Sequence, residues 1–249
     1  MKIGFIPDTH LNEVSDIRPE LTRLAEGFAE AGVTDVIHLG DIVDENHITT
    51  TQIYDNILDG LESVFSQFNL HYTIGNHDSE VLSAQQFEQM RQTKLNQCIF
   101  ETDSTAVLLI NTGTQVELSE TNTELSCGAI AQAGIELIES YLHKDELYIA
   151  THYPLQYTPI FQTQTFFDIH PEYTFPVNKL ALEKRLREYE KLPDITVFCG
   201  HLHPRNNMTV VTKPFDITVN ARRPIKQFDE EDYEMSPYID HASHYITEI

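Results

Sequence analysis

The sequence of 249 residues contains no tryptophan, only three cysteines and few basic residues. Against 39 aspartates and glutamates stand 16 lysines and arginines, so the formal net charge is −23. A protein with this charge repels long duplex nucleic acids and anionic lipid surfaces over most of its area. It is therefore not expected to bind along an extended phosphate backbone. Any phosphate group that the protein binds must therefore be bound locally.

Cysteines and long hydrophobic runs are equally scarce. Cys98, Cys127 and Cys199 form an odd and sparse set, which argues against a disulfide framework and favours a reducing compartment. No apolar run comes near the roughly 18 residues that a membrane span needs, and the apolar start of the chain ends at Asp8, too early for a signal peptide. We therefore expect a soluble, cytoplasmic protein with no membrane partner.

What the sequence does contain is an alternation of β-prone apolar runs and amphipathic segments, with enough hydrophobic residues (41%) for a sizeable core. This alternation is typical of an α/β fold built around a sheet with parallel strands. The predicted strands are Lys2–Ile6, Asp35–Leu39, Leu70–Ile74, Ala106–Ile110, Leu147–Ala150 and Ile195–Cys199. The predicted helices are Pro19–Ala31, Ile53–Phe68, Ser83–Leu95, Ala131–His143 and Asn178–Lys191.

The later part of the chain is less regular. Tyr153–Val177 is rich in aromatic and turn residues and is predicted to be a long loop, a kind of segment that is usually functional or disordered. Two short strands are predicted at Met208–Val211 and Phe215–Val219. We assign residues 1–222 to one domain and residues 223–249 to an acidic C-terminal extension, in which periodicity is lost.

Polar clusters directly follow five of the predicted strands, at the sheet edge where ligand sites of α/β proteins assemble. These clusters are Asp8-Thr9-His10, Gly40-Asp41, Gly75-Asn76-His77-Asp78, Thr151-His152 and Gly200-His201-Leu202-His203. Their carboxylates, imidazoles and single carboxamide, with no thiolate, suit Mn²⁺, Fe, Zn²⁺ or Ni²⁺. Seven candidate ligands are too many for one catalytic ion, whereas two ions that share a carboxylate would use them all.

The ordered series D-x-H, G-D, G-N-H-D, H and G-H-x-H resembles the signature of the calcineurin-like metallophosphoesterase superfamily, in the form found in its cyclic-nucleotide phosphodiesterases. The resemblance extends from Asp8 to His203. It implies a four-layer αββα sandwich of two mixed sheets with flanking helices and a dinuclear metal site at the C-terminal edge of the strands. It also implies that one metal is held by Asp8, His10, Asp41 and His203, and the other by Asp41, Asn76, His152 and His201.

The same resemblance implies a mechanism. His77 corresponds to the catalytic histidine of the family, close to the leaving-group oxygen, and Asp78 would orient its ring and favour its protonated state. The nucleophile would be a hydroxide held between two divalent ions, with Mn²⁺ the leading candidate, and it would attack phosphorus in line. Asp41 would be the carboxylate that bridges the ions.

Three further residues are candidate substrate contacts. Arg205 could bind phosphate oxygens in a bidentate manner, His47 lies just beyond Gly40-Asp41, and Tyr157 could stack on a base. Each also has a plain structural alternative: Arg205 as a surface arginine, His47 as a loop residue, and Tyr157 as a ring that packs the loop down.

Departures from subfamily patterns narrow the expected substrate. Protein serine/threonine phosphatases of the superfamily read G-D-x-V-D-R-G, whereas Glu45 stands here in place of that arginine. The DNA-repair nucleases of the superfamily have additional domains, for which 249 residues leave little room. We expect hydrolysis of a small phosphodiester or phosphomonoester, with a nucleotide as one candidate. The alternatives are a nuclease on short or single-stranded DNA ends and a non-catalytic protein-binding scaffold, and no particular protein partner is indicated.

Overall fold

The structure is a computed structural model, and the residues that it describes are 1–12, 14–44, 48, 50–116, 127–153, 155, 182, 185–186, 188–201, 212–213, 216–217 and 245–249. The predicted loop Tyr153–Val177, the helix Asn178–Lys191 and the two strands Met208–Val211 and Phe215–Val219 lie wholly or partly outside these residues. The candidate site residues His47, Tyr157, His203 and Arg205 also lie outside them.

Helices and strands alternate along the first part of the chain. The helices are α1 (Val14–Ala31), α2 (Thr51–Val64), α3 (Asn76–Val81), α4 (Ala84–Arg91) and α5 (Gln132–Ser140). The strands are β1 (Lys2–Ile6), β2 (Asp35–His38), β3 (Asn69–Tyr72), β4 (Gln97–Glu101), β5 (Thr105–Leu109), β6 (Thr114–Val116), β7 (Cys127–Ala129), β8 (Glu146–Thr151), β9 (Asp194–Cys199), β10 (Thr212–Lys213), β11 (Asp216–Ile217) and β12 (Tyr245–Glu248).

Two four-stranded sheets form the centre of the molecule, and each is mixed. The first has the order β12-β1-β2-β3, in which β12 is antiparallel to β1 and the other pairs are parallel. The second has the order β4-β5-β8-β9, in which β4 is antiparallel to β5 and the other pairs are parallel. Two short hairpins, β6-β7 and β10-β11, accompany them.

The two sheets pack face to face because successive residues of a strand point to opposite sides. In β1, Ile3 and Phe5 belong to the core between the sheets, where the ring of Phe5 stacks on Phe198 at 4.1 Å. Ile6 belongs to the core beneath α1 and α2, and a side chain at Gly4 would collide with Phe28 of α1. A third core lies between the second sheet and α5. The predicted αββα sandwich is therefore confirmed.

Apolar runs located the six strands predicted between Lys2 and Cys199 to within one or two residues, and four predicted helices are present. The sequence did not predict β4, β6, β7, β12 or α3, and α1 begins at Val14, with Pro19 inside it. Although β12 lies within residues 223–249, the assignment of that segment as an extension stays a prediction. Within the described ranges, no helix has both the length and the apolar character that crossing a membrane requires.

A buried carboxylate, Asp35, opens β2 at the end opposite the candidate site. Its oxygens accept hydrogen bonds from Asn69 Nδ2 (3.1 Å) and the Thr34 hydroxyl (2.7 Å), and His71 Nε2 lies 3.1 Å away. Burial raises the pKa of Asp35, but these hydrogen bonds outweigh it and hold the pKa below its ordinary value of 3.8. A carboxylate of this kind stabilises the fold above its unfolded-state pKa, and the contribution is lost as the pH falls through the folded-state pKa.

We therefore predict that Asp35→Asn is less stable than the unchanged protein at neutral pH and that the difference shrinks below pH 3.8. Urea unfolding followed by circular dichroism across this range measures the effect. A stability difference that is the same at neutral and acidic pH would contradict the prediction.

Candidate metal centre

The candidate site lies where the carboxyl ends of strands from both sheets meet. Asp8 and His10 follow β1, and Asp41 follows β2 in the first sheet. His152 follows β8 and His201 follows β9 in the second sheet. Parallel strands within each sheet end at one edge, and the packing of the sheets brings the two edges together. Asn76 and His77, which follow β3, lie beside His152 and Asp41. Members of all five polar clusters are thus gathered at one place.

The backbone of the site is strained. Among the described residues other than glycine, five have positive φ, and four of these belong to the site: Asp8 (49°), His10 (43°), Asp41 (49°) and His201 (69°). The fifth, Gln92, caps the end of α4. Left-handed conformations of this kind cost about 1–3 kcal/mol each and persist where the surroundings over-determine them, typically at functional sites.

The carboxylate of Asp41 lies close to three histidine rings of the site. Its Oδ2 lies 3.3 Å from His152 Nε2, 3.8 Å from His10 Nε2 and 3.8 Å from His77 Nε2. Its Oδ1 accepts a hydrogen bond from the backbone N–H of His77 (3.0 Å). Burial acts to raise the pKa of Asp41, but the neighbouring histidines, His152 foremost, lower it well below the ordinary value. The side chain is therefore a buried, charged carboxylate that several imidazoles share.

His152 is oriented by the backbone of the first sheet. Because a carbonyl oxygen only accepts, Nδ1–H of His152 donates to Leu39 O (2.9 Å), and Nε2 is directed at Asp41. Burial lowers the pKa of His152, but the carboxylates of Asp41 and Asp8 outweigh it and raise the pKa to about 9. A cation bound at Nε2 would replace the proton there, as is usual for metal-ligating histidines.

The side chain of Asn76 lies between two histidines that follow strands of the second sheet. Its Oδ1 lies 3.1 Å from His152 Nε2 and 3.0 Å from His201 Nδ1. Asp8 adjoins this group, because its Oδ1 accepts the backbone N–H of His201 (2.7 Å) and lies 3.9 Å from His152 Nδ1. The four residues predicted to hold one metal are therefore neighbours in the structure: Asp41, Asn76, His152 and His201.

Among the described residues, two sets of three side chains could each hold a metal ion, and both contain Asp41. Within each set, the possible ligand atoms all lie within 4.8 Å of one another. One set is Asp41, His152 and His201, and the other is His10, Asp41 and His77. Neither set contains a cysteine, and burial raises the pKa of the nearby Cys199 thiol to about 12, which keeps it protonated. Oxygen and nitrogen donors around a shared carboxylate fit two divalent ions. The donor set therefore suits the dinuclear site that the sequence predicts.

The first predicted metal set is reproduced only in part. His10 and Asp41 lie together, but the third neighbour in the structure is His77, which the sequence assigned to catalysis rather than to metal binding. Asp8 lies beside His201 and His152, and His203 is outside the described residues. The ring of His77 also packs edge-on against that of His10, with centroids 4.5 Å apart.

The carboxylate of Asp78 accepts four hydrogen bonds beside the site. Its Oδ1 accepts from the backbone N–H of Ile42 (2.9 Å) and Val43 (3.3 Å) and from the Tyr54 hydroxyl (3.0 Å), and its Oδ2 accepts from Gly75 N–H (2.8 Å). The carboxylate thus holds the loop that carries Asp41, and its role in orienting His77 stays a prediction. Burial and the charge of Asp41 raise the pKa of Asp78 to about 6, against these hydrogen bonds.

Two motif glycines allow the edges of the sheets to approach each other. Gly40 has φ of 91°, and a Cβ there would lie 2.7 Å from His152 Nδ1. A Cβ at Gly75 would overlap with Asp41 Oδ1. Any side chain at either position would push Asp41 and His152 apart, which explains the glycine in both G-D and G-N-H-D.

Several supporting residues were not identified from the sequence as parts of the site. Tyr153 is buried, and its ring lies 4.2 Å from that of His201 and 5.1 Å from that of His152. Its position directly after His152 is the one signal that could have marked it. Tyr54 lies in α2, and its hydroxyl donates to Asp78 (3.0 Å). His38 is buried at the end of β2, and burial lowers its pKa to about 3.

Comparisons with known proteins agree with this geometry. The calcineurin-like phosphoesterase family matches residues 1–205. A dimetal phosphatase from Danio rerio shares the fold with a TM-score of 0.59 and 14% identity, covering 86% of this chain and 84% of that one. The purple acid phosphatase PPD1 from yellow lupin (Lupinus luteus) shares it with a TM-score of 0.56 and 13% identity, covering 86% of this chain and 39% of that one.

No curated protein matches the sequence at a significant level. The two solved structures show the fold alone, because their identity to this chain is low. The family match, in contrast, spans most of the sequence and includes every motif from Asp8 to His203. The chain therefore belongs to the calcineurin-like phosphoesterase family.

Proposed function

We propose that this protein is a dinuclear-metal-dependent phosphoesterase that hydrolyses a small phosphodiester or phosphomonoester, with a nucleotide as one candidate. The observation that carries the proposal is the convergence of two sets of ligand atoms on the single buried carboxylate of Asp41. Membership of the family supports the reaction class. The two solved neighbours are described as a dimetal phosphatase and a purple acid phosphatase, which also supports ester hydrolysis.

The metals would be held by residues of both groups around Asp41, which the two ions would share: Asp8, His10, Asn76, His152, His201 and His203. When bound, two divalent ions supply positive charge for the phosphoryl oxygens and lower the pKa of bound water toward neutrality. Mn²⁺ is our leading candidate, and Fe, Zn²⁺ and Ni²⁺ suit the same donors. The chain itself orients the donors: Leu39 O fixes the tautomer of His152, and His77 N–H fixes Oδ1 of Asp41.

His77 is the residue that we propose as the general acid. Its side chain is 27% exposed, whereas those of Asp41 and His152 are buried. Its Nε2 faces the Asp41 carboxylate at 3.8 Å, and a neighbouring negative charge stabilises the protonated ring. An imidazole that is both protonated and accessible can donate a proton to the oxygen of a departing alcohol. We propose that water attacks phosphorus in line from the opposite side.

The charge of the chain supports a small substrate. A net charge of −23 repels a long polyanion, whereas the metal-loaded centre would attract a single phosphate group locally. This argument also makes a nuclease on single-stranded ends the less favoured alternative. We further propose a cytoplasmic location, which three unpatterned cysteines in 249 residues support.

A metal-reconstitution assay on the purified full chain tests the proposal. After removal of metals by a chelator, Mn²⁺, Fe²⁺, Zn²⁺ or Ni²⁺ is added, and hydrolysis of bis-p-nitrophenyl phosphate and p-nitrophenyl phosphate is measured. We expect metal-dependent turnover of at least one compound, and the ratio of the two rates gives the preference for diester or monoester. Asp41→Asn, prepared identically, controls for a contaminating phosphatase.

Absence of turnover with every metal and both compounds would contradict the proposal and favour the protein-binding scaffold. A panel of nucleotides, cyclic nucleotides and a single-stranded oligonucleotide then separates the substrate classes. Faster cleavage of the oligonucleotide than of any nucleotide would favour the nuclease. For a chiral phosphate ester in labelled water, inversion at phosphorus is expected, whereas net retention would contradict direct attack by water.

A further inference from the structure

A chain of hydrogen bonds between two buried side chains lies beneath the centre. His38 ends β2 and Thr9 stands between Asp8 and His10, and both are almost completely buried. The backbone N–H of Gly40 donates to His38 Nδ1 (3.2 Å), and His38 Nε2 lies 2.9 Å from Thr9 Oγ1. The hydroxyl of Thr9 donates to Ile42 O (3.0 Å).

The direction of every hydrogen bond in this chain follows from its two ends. A backbone N–H can only donate, so His38 Nδ1 is the acceptor and the ring carries its proton on Nε2. A carbonyl can only accept, so the single proton of the Thr9 hydroxyl goes to Ile42 O and Oγ1 must accept from His38. All donors and acceptors are matched, which a buried polar pair requires.

This series of hydrogen bonds joins the two loops that carry the candidate ligands with left-handed backbone. Thr9 belongs to the loop after β1, with Asp8 and His10 at φ of 49° and 43°, and His38 precedes the loop after β2, with Asp41 at 49°. Backbone pairs join the same loops, from Asp8 N–H to Gly40 O (3.1 Å) and from His10 N–H to Asp41 O (3.0 Å). Strained backbone of this kind needs such support to persist.

We propose that His38 and Thr9 are positioning residues that hold the loops after β1 and β2 in register, so that Asp8, His10 and Asp41 converge. This inference rests on the proposed function, since the ligand roles of those three residues do. Neither positioning residue is directed at substrate. Their contribution is to the geometry of the ligands and hence to metal affinity, as for other residues that support ligating side chains.

The tautomer of His38 gives the first test, and it is read from the unchanged protein. In the metal-free full chain labelled with ¹⁵N, the ring of His38 is expected to carry its proton on Nε2, with Nδ1 unprotonated. Its signals are assigned among those of the 12 histidines by comparison with His38→Asn. A His38 ring protonated on Nδ1 would overturn the proposed chain of hydrogen bonds.

Binding of Mn²⁺ alone, measured by calorimetry on the full chain, gives the second test. Thr9→Val keeps the shape of the side chain but removes the hydroxyl, whereas Thr9→Ser keeps the hydroxyl. The matched control is Thr105→Val, because Thr105 is also buried and its hydroxyl donates to Glu146 Oε2 (3.5 Å), but it opens β5, at the end of the second sheet away from the site. All three variants are checked for folding by circular dichroism.

We expect Thr9→Val to lower the affinity for Mn²⁺ by about 10- to 100-fold, whereas Thr9→Ser and Thr105→Val remain close to the unchanged protein. Equal effects of Thr9→Val and Thr105→Val would show that Thr9 only packs in the core and would overturn the inference. If the unchanged protein binds Mn²⁺ but hydrolyses no ester, the proposed function fails while the positioning role stands. If it binds no Mn²⁺, both fail.

Discussion

Asp41→Asn is expected to abolish metal-dependent hydrolysis and to weaken the binding of both ions. The carboxylate is buried, belongs to both sets of ligand atoms and faces three imidazoles, so its replacement by a neutral amide removes the charge common to the two sets. Loss of a supporting residue typically costs 10- to 100-fold in metal affinity, so loss of a shared ligand should cost more than about 100-fold. Calorimetry with Mn²⁺ and measurement of bound metal after dialysis test this.

The matched control is Asp35→Asn, which makes the same substitution in the same strand region but at the end of β2 opposite the site. At neutral pH this variant should be less stable but should still bind two ions and retain turnover. If Asp41→Asn kept two ions and the full rate, Asp41 would not be the shared ligand.

His77→Ala should keep both ions while losing about 10²- to 10⁴-fold in turnover, the range for general acid catalysis. The loss should be greatest for esters with poor leaving groups, such as alkyl phosphates, because their oxygen needs a proton as the bond to phosphorus breaks. It should be least for p-nitrophenyl esters. Steady-state rates over a series of leaving groups, with bound metal measured for each preparation, test both parts.

His71→Ala is the control for this variant, because His71 lies in β3 and pairs with Asp35 away from the site. It should leave metal content and the dependence on the leaving group unchanged. Loss of one ion from His77→Ala would instead place His77 among the ligands with His10 and Asp41, an arrangement that their proximity also allows.

Strands and helices were predictable from the sequence where a short stretch of residues encodes them. The strands of both sheets that end at the site were located from runs of apolar residues, because a buried strand must be apolar along its length. In contrast, β12 is a short strand that pairs with β1 from the far end of the sequence. No local pattern encodes such a partner, and β12 follows an aperiodic acidic segment.

Asp78 shows what a motif alone cannot reveal. The family resemblance implies that Asp78 orients the neighbouring His77, and this role stays a prediction. Both residues lie in α3, where successive side chains point in directions about 100° apart. The ring of His77 is directed at Asp41, while the carboxylate of Asp78 is directed inward at Tyr54 and the backbone of the next loop.

Residue types and their order along the chain were enough to predict which chemical groups the site contains: oxygen and nitrogen donors directly after strands, with glycines beside them, in a strongly negative protein. The folded structure was needed to see that Asp41 is shared by two ligand sets, that Asp78 supports the Asp41 loop, and that His38 and Thr9 join two strained loops. The reason is physical. Residue type and spacing are local properties of the chain, whereas the convergence of side chains depends on how strands far apart in sequence pair and how the two sheets pack.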